Sequence, residues 1–126
     1  MVSHGDLAKA YVDSAAMLVG DPEQLQTAGV YPDDTPEAFY LRVEGCVKET
    51  DTGEGVVALV DLFGGTPNNV VARLSRVYNI KIVTGANLPM VMYAICERTE
   101  EMTQQELVDG LLATGLEGIA EFSMNI

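Results

Sequence analysis

Apolar residues recur at helical spacing from Leu7 through Tyr11 and Ala15 to Leu18, and the run stops at Gly20, Asp21 and Pro22. This pattern predicts a first helix that begins almost directly after His4. The segment LQTAGVYPDD alternates weakly and predicts a short strand ending before Pro32. Asp34 and Glu37 stand at capping-box spacing ahead of Phe39, Val43, Cys46 and Val47, which share one face. A second helix is expected to run to about Lys48.

After a turn-like stretch over 49–55, VVALVD is a compact β-branched run without alternation, the pattern of a strand covered on both faces. FGGTPNNVVARL then reads as a glycine turn and a helix. Thr66 is placed as its N-cap and Pro67 at its first position, with Val70, Val71, Leu74 and Val77 as the apolar face. Ile80 to Val83 fits another strand, and NLPMVMYAICER a helix starting near Asn87 or Leu88. Met90, Met92, Tyr93 and Ile95 fit core packing better than a partner surface. Thr103 and Glu106 make a second capping box before Leu107, Val108, Leu111 and Leu112. The tail from Gly118 to Ile126, with Ile119, Phe122 and Ile126, has the alternation of a terminal strand.

Strands and helices alternating at these spacings predict an α/β fold: a doubly wound, mostly parallel open sheet flanked by helices. The 126 residues suit a single domain spanning 1–126. The beginning stands out, because only Met1 to Ser3 precede the first turn where such a domain opens with a buried strand. The first central strand therefore reads as truncated.

Composition narrows the function. Seven basic and 19 acidic residues give a net charge of −12, which repels nucleic-acid phosphates and anionic lipid but suits a partner with a basic face. Apolar runs are too short to span a membrane, and the start lacks the basic head and apolar stretch of a secretory signal, so a cytoplasmic location is expected. Cys46 and Cys96 lack metal-ligand spacing and read as buried thiols.

His4 is the only histidine, in SHGD at the carboxyl end of a short strand remnant; Gly5 permits a tight passage that exposes its imidazole, a group able to act as nucleophile at neutral pH. Taken alone, a histidine so near a terminus is more often an exposed bystander. Asp61 ends the VVALV strand before a glycine turn, where open α/β sheets present polar groups to ligands. It either orients an imidazole or merely stabilises the turn. Gly64 and Gly65 allow backbone amides to converge, and the following helix N-terminus favours an anion. The Thr66 hydroxyl either donates to phosphate or is used as a cap. Lys9, Arg73 and Lys81 fit solvated positions better than a phosphate site. With no GxxxxGK[ST], GxGxxG or HExxH motif, the sequence calls for no nucleotide, dinucleotide or metal cofactor.

VSHGDLA, ALVDLFGGTPNNVVARL and TGANLPM, in this order, resemble the mannose-type enzyme IIA component of the bacterial sugar phosphotransferase system. DLFGGTPNN is the most specific of the three. The resemblance implies a phosphotransferase component in which His4 is phosphorylated, Asp61 bonds its other ring nitrogen, and Thr66 contacts the phosphoryl group. Gly64, Gly65, Pro67 and Asn68 fall where that group's oxygens would be held. It implies HPr as donor and enzyme IIB as acceptor, with membrane enzymes IIC and IID acting further along, and it leaves the sugar open. It also implies a homodimer in which a C-terminal strand, about Ile119 to Met124, adds antiparallel to the partner's sheet; closure of its own sheet is the alternative. A phosphoryl donor to dihydroxyacetone kinase and a non-catalytic regulatory or binding module are the competing functions. Relatives have a fuller first strand, so loss of stability and impaired transfer are expected here if the chain begins at Met1.

Overall fold

The computed structural model describes residues 1–124, with strands β1 (Val2–His4), β2 (Ala28–Val30), β3 (Val56–Leu59) and β4 (Ile80–Val83). The helices are α1 (Leu7–Val19), α2 (Pro36–Thr50), α3 (Gly65–Leu74), α4 (Leu88–Cys96) and α5 (Gln104–Glu117). All strand pairing is parallel: Val2 stands opposite Ala28 in β1 and β2, and Val56 opposite Ile80 in β3 and β4. A single bridge between Val2 and Val60, with Asp61 N–H donating to Val2 O at 3.3 Å, joins the two pairs in the order β2-β1-β3-β4. The connections reverse direction between β1 and β3, and the carboxyl ends of strands at such a switch point are where open sheets bind ligands.

β3 explains why VVALV carries no alternation. Val56, Ala58 and Val60 pack with Phe39, Val43 and Val47 of α2 and Val70, Val71 and Leu74 of α3. Leu59, with Val57 packed alongside, joins the opposite cluster of Val12, Met90, Val91, Val108 and Leu111. Both faces of the strand are covered, so each residue is apolar. Phe39, Val43, Leu74, Val91 and Leu111 are among the largest fully buried side chains, and burying each contributes about 1.5–3 kcal/mol before chain entropy is set against it.

Several local readings shift. α1 buries Ala8, Val12 and Ala15 with Tyr11 packed alongside, whereas Leu7 and Leu18 are exposed, so Tyr11 and Ala15 of the expected face meet the core and its two ends do not. α2 is capped by Thr35, whose side chain accepts from Ala38 N–H at 3.1 Å, with Pro36 at its start. Asp34 instead accepts from Tyr31 N–H at 2.8 Å and pairs with Arg42 at 2.6 Å; the Arg42 guanidinium holds the Asp34 carboxyl below its ordinary value. α3 begins at Gly65 with Gly64 as its cap, two residues earlier than a Thr66 cap requires, and ends before Val77, which is exposed. α4 starts at Leu88, one of the two starts expected, with Asn87 as its cap, and Thr103 caps α5 as read, within a complete capping box with Glu106. Met90 is buried and Met92, Tyr93 and Ile95 pack partly buried beside it, as core packing requires. Cys46 is half-buried and Cys96 is exposed, so the pair of buried thiols is not found.

The two ends of the chain answer the questions raised by the sequence. β1 occupies the central position despite its 3 residues, and the ladder with β2 continues on either side of it. Ala28 N–H donates to Met1 O at 3.0 Å, and Gly5 N–H donates to Val30 O at 2.8 Å. Residues 119–124 form no strand with the chain's own sheet, and Ile119, Phe122 and Met124 are exposed. Ile126 of the expected tail strand lies outside the described residues.

The crossing of β1 into α1 rests on a close backbone approach, since a Cβ on Gly29 would stand 1.9 Å from Gly5 O. Gly29→Ala is expected to lower unfolding free energy by about 1–3 kcal/mol, measured by urea denaturation, because neither backbone can yield without breaking the β1–β2 ladder.

Candidate active site

His4 ends β1 and Asp61 follows β3, so the sheet order brings together two residues 57 positions apart. One carboxylate oxygen, Asp61 Oδ2, lies 2.9 Å from His4 Nδ1 and accepts from His4 N–H at 3.0 Å. The carboxylate thus grips both the backbone and the ring of the same residue. The Asp61 side chain is 8% exposed and that of His4 50% exposed, which anchors one partner and leaves the other open to solvent. Asp61 Oδ1 is buried with no hydrogen-bond partner among the described residues. Among the described residues no donor outside His4 bonds this carboxylate side chain, so its charge acts chiefly on that residue.

A carboxylate only accepts, so the neutral ring carries its proton on Nδ1 and leaves the Nε2 lone pair available. Nε2 faces α3: a Cβ on Gly65 would lie 3.4 Å from Cε1 and 3.5 Å from Nε2. Glycine keeps that approach open, and its φ of 79°, like the 79° of Gly64, is a backbone conformation that other residues adopt at a cost. The N–H groups in the first turn of α3 have no partners within the helix, and the helix dipole concentrates positive potential there. Thr66, Pro67 and Asn68 follow in that turn, Thr66 exposed and Pro67 buried. α3 has no side-chain cap, which leaves the Thr66 hydroxyl without the capping role and with no hydrogen bond among the described residues.

The basic residues are engaged elsewhere or lie apart. Lys9 pairs with Asp13 on α1 at 2.6 Å, Arg73 at the far end of α3 lies over the Tyr40 ring at 4.5 Å, and Lys81 is exposed on β4. Positive potential beside His4 therefore comes from backbone amides. Three supports escaped the sequence reading. Buried Ser3 accepts from Ala8 N–H at 2.8 Å and ties β1 to α1. Tyr31 OH donates to Asp6 Oδ1, an arrangement that pushes the tyrosine pKa up. Gly29 admits the Gly5 carbonyl. The pattern SHGD gave no signal for Ser3 beyond its being polar inside a strand, and Tyr31 and Gly29 lie on a segment whose alternation was weak.

The profile of the EIIA-man family, described as PTS system fructose IIA component, matches residues 1–112. The chain belongs to the EIIA-man family. It is thus an EIIA component of the sugar phosphotransferase system, as the motifs around His4 and Asp61 implied. The mannose-specific EIIAB component of Escherichia coli is 29% identical over 118 residues, covering 93% of this chain and 36% of that protein. This chain therefore spans about a third of that relative's length. The fructose-specific EIIA component of Bacillus subtilis is 26% identical over 87% of this chain and 75% of its own length. Among solved structures, the mannose/sorbose-specific IIA subunit from Enterococcus faecalis superposes with a TM-score of 0.87 at 26% identity, covering 99% of this chain and 93% of that one. The two chains thus share one fold over nearly their whole length. No helix among the described residues is long and apolar enough to cross a membrane.

The Asp61 contact leads to an expectation about the ring itself. Nitrogen NMR of neutral His4 should show the Nδ1–H tautomer predominating, and Asp61→Ala should return the ring toward the Nε2–H form that an unconstrained imidazole favours. An unchanged tautomer in the variant would mean that Asp61 does not orient the ring.

Proposed function

We propose that His4 Nε2 accepts a phosphoryl group from phosphorylated HPr and passes it to a cognate enzyme IIB. The observation that carries this reading is the Asp61 contact at Nδ1, which leaves Nε2 as the nucleophilic nitrogen beside the start of α3. In the first transfer the Nε2–P bond forms as the donor's N–P bond breaks; in the second His4 is the leaving group. Asp61 positions the ring and stabilises the positive charge it acquires when Nε2 is phosphorylated. The Thr66 hydroxyl and the backbone N–H groups of Gly64, Gly65, Thr66 and Asn68 receive the phosphoryl oxygens as charge shifts between attacking and leaving atoms. The energy arrives stored in phosphohistidine, so the transfer needs no nucleotide at this site.

A half-exposed His4 suits a donor and an acceptor that must each reach the same nitrogen in turn. Exposed Leu62 and Phe63, directly before Gly64, supply apolar contact beside it. The net charge of −12 favours partners with basic faces and speeds their encounter. A chain exchanging phosphoryl groups with HPr works in the cytoplasm, upstream of membrane enzymes IIC and IID.

The test is intact-mass analysis after incubation with phosphoenolpyruvate, enzyme I and HPr. The native chain should gain one acid-labile phosphate and His4→Ala none. Asp61→Ala and Gly65→Val should each slow labelling by about tenfold or more while remaining folded by circular dichroism. A folded native chain that takes up no phosphate contradicts the reading.

The same family reading makes the protein a homodimer in which residues 119–124 of each copy add antiparallel to the partner's sheet. Ile119, Phe122 and Met124 are exposed, as are Leu112 and Leu116 on α5, and such a strand would cover an open sheet edge. Light scattering should give a dimer for the full chain and a monomer after deletion of residues 119–126; a monomeric full chain contradicts the exchange.

A further inference from the structure

Asp6 stands two residues beyond His4, which keeps the two Cα atoms within about 7 Å and places a second carboxylate within reach of the ring. It occupies the N-cap position of α1, where an aspartate ordinarily bonds the first-turn N–H groups, yet its side chain makes no cap bond. Buried Ser3 takes that part instead, accepting from Ala8 N–H at 2.8 Å. The Asp6 carboxylate accepts from Tyr31 OH.

Tyr31 directly follows β2, and β2 lies on the opposite side of β1 from β3 and Asp61. Its own position is braced. Tyr31 N–H donates to Asp34 at 2.8 Å, Asp34 pairs with Arg42 at 2.6 Å, and Arg42 donates to Gly29 O at 2.8 Å. A Cβ on Gly29 would stand 3.4 Å from the Tyr31 hydroxyl, so the phenol oxygen lies close against the β2 backbone. The neighbouring cations are committed, Arg42 to Asp34 and Lys9 to Asp13. A neutral hydroxyl therefore holds Asp6, fixing the place of the carboxylate while leaving it its negative charge. The same bond pushes the phenol pKa up, which keeps Tyr31 a donor at neutral pH.

Two carboxylates thus flank His4, and Asp61 bonds the ring while Asp6 is drawn toward β2. We propose that Tyr31 is a positioning residue for phosphoryl transfer, its hydroxyl holding the Asp6 carboxylate on the β2 side and away from His4 Nε2. The proposal rests on His4 as the phosphoryl carrier. A carboxylate free to reach Nε2 would repel the incoming phosphoryl oxygens, and by accepting from a proton on Nε2 it would tie up the nucleophilic lone pair. Held by Tyr31, it does neither, and the positive potential at the start of α3 is not offset by a second carboxylate.

The test labels the full chain with phosphoramidate, a small donor from which Nε2 displaces ammonia as the N–P bond forms, and follows the gain of phosphate by intact mass. His4 is the only histidine and its side chain is half-exposed, so this donor reaches it whatever protein serves as the natural one. Tyr31→Phe removes only the hydroxyl and should slow labelling about fivefold, the scale of one repulsion between charges near a protein surface. Asp6→Asn in that background should restore the native rate, and Asp6→Asn alone should label no slower than the native chain, each variant remaining folded by circular dichroism. A phenol that merely braces the turn gives no such rescue. Native-rate labelling of Tyr31→Phe, or a double variant as slow as the single one, overturns the proposal. HPr takes no part in this reaction, so a native chain that phosphorylated HPr fails to label counts against that donor and leaves the comparison among variants standing.

Discussion

The contact between Asp61 and His4 is the constraint to which the rest of the structure answers. One carboxylate oxygen bonds both the backbone N–H and the ring of a residue 57 positions away, across the junction where two strand pairs meet through a single bridge. The bond fixes which ring nitrogen is protonated, where the other points, and how the end of β1 is held against β3. α3 can then begin at Gly65 beside Nε2, because the strand that precedes it ends at the same rim. An imidazole, a carboxylate bonded to its ring and a helix N-terminus are assembled by topology, and among the described residues no lysine or arginine pairs with that carboxylate.

That arrangement explains how so short a first strand can serve. β1 has 3 residues, and the reading from sequence anticipated a loosely held histidine. The structure compensates locally: the β2 ladder continues through Met1 and Gly5, Ser3 bonds the start of α1, Tyr31 bonds Asp6, and Asp61 takes the His4 N–H. These bonds cluster at the carboxyl end of β1.

Much of this was legible because it depended on local pattern. VVALV announced a strand covered on both faces, and Thr103 with Glu106 announced α5 through side chains that bond the backbone. DLFGGTPNN announced the family. What escaped depended on tertiary contact. Asp34 stood at capping spacing but was claimed by Arg42, leaving Thr35 to cap α2. Thr66 looked like a cap, yet two glycines with positive φ start α3 earlier and leave its hydroxyl for another role. The α1 face held at Tyr11 and Ala15 but failed at its ends, because Leu7 and Leu18, though apolar, face outward while Ala8 and Val12 join Ala15 in the core. Gly29 carries no local signature at all, since its requirement comes from a carbonyl in another segment.

The account rests on the claim that Asp61 reserves Nδ1 and thereby commits Nε2 to phosphorus. Phosphorus and nitrogen NMR of the phosphorylated chain tests this directly, because the two isomers of phosphohistidine give distinct spectra. Phosphorus bonded to Nε2, with Nδ1 still protonated, is the predicted result. Phosphorus on Nδ1 would contradict the account, since the Asp61 contact would have to break for the chemistry to occur.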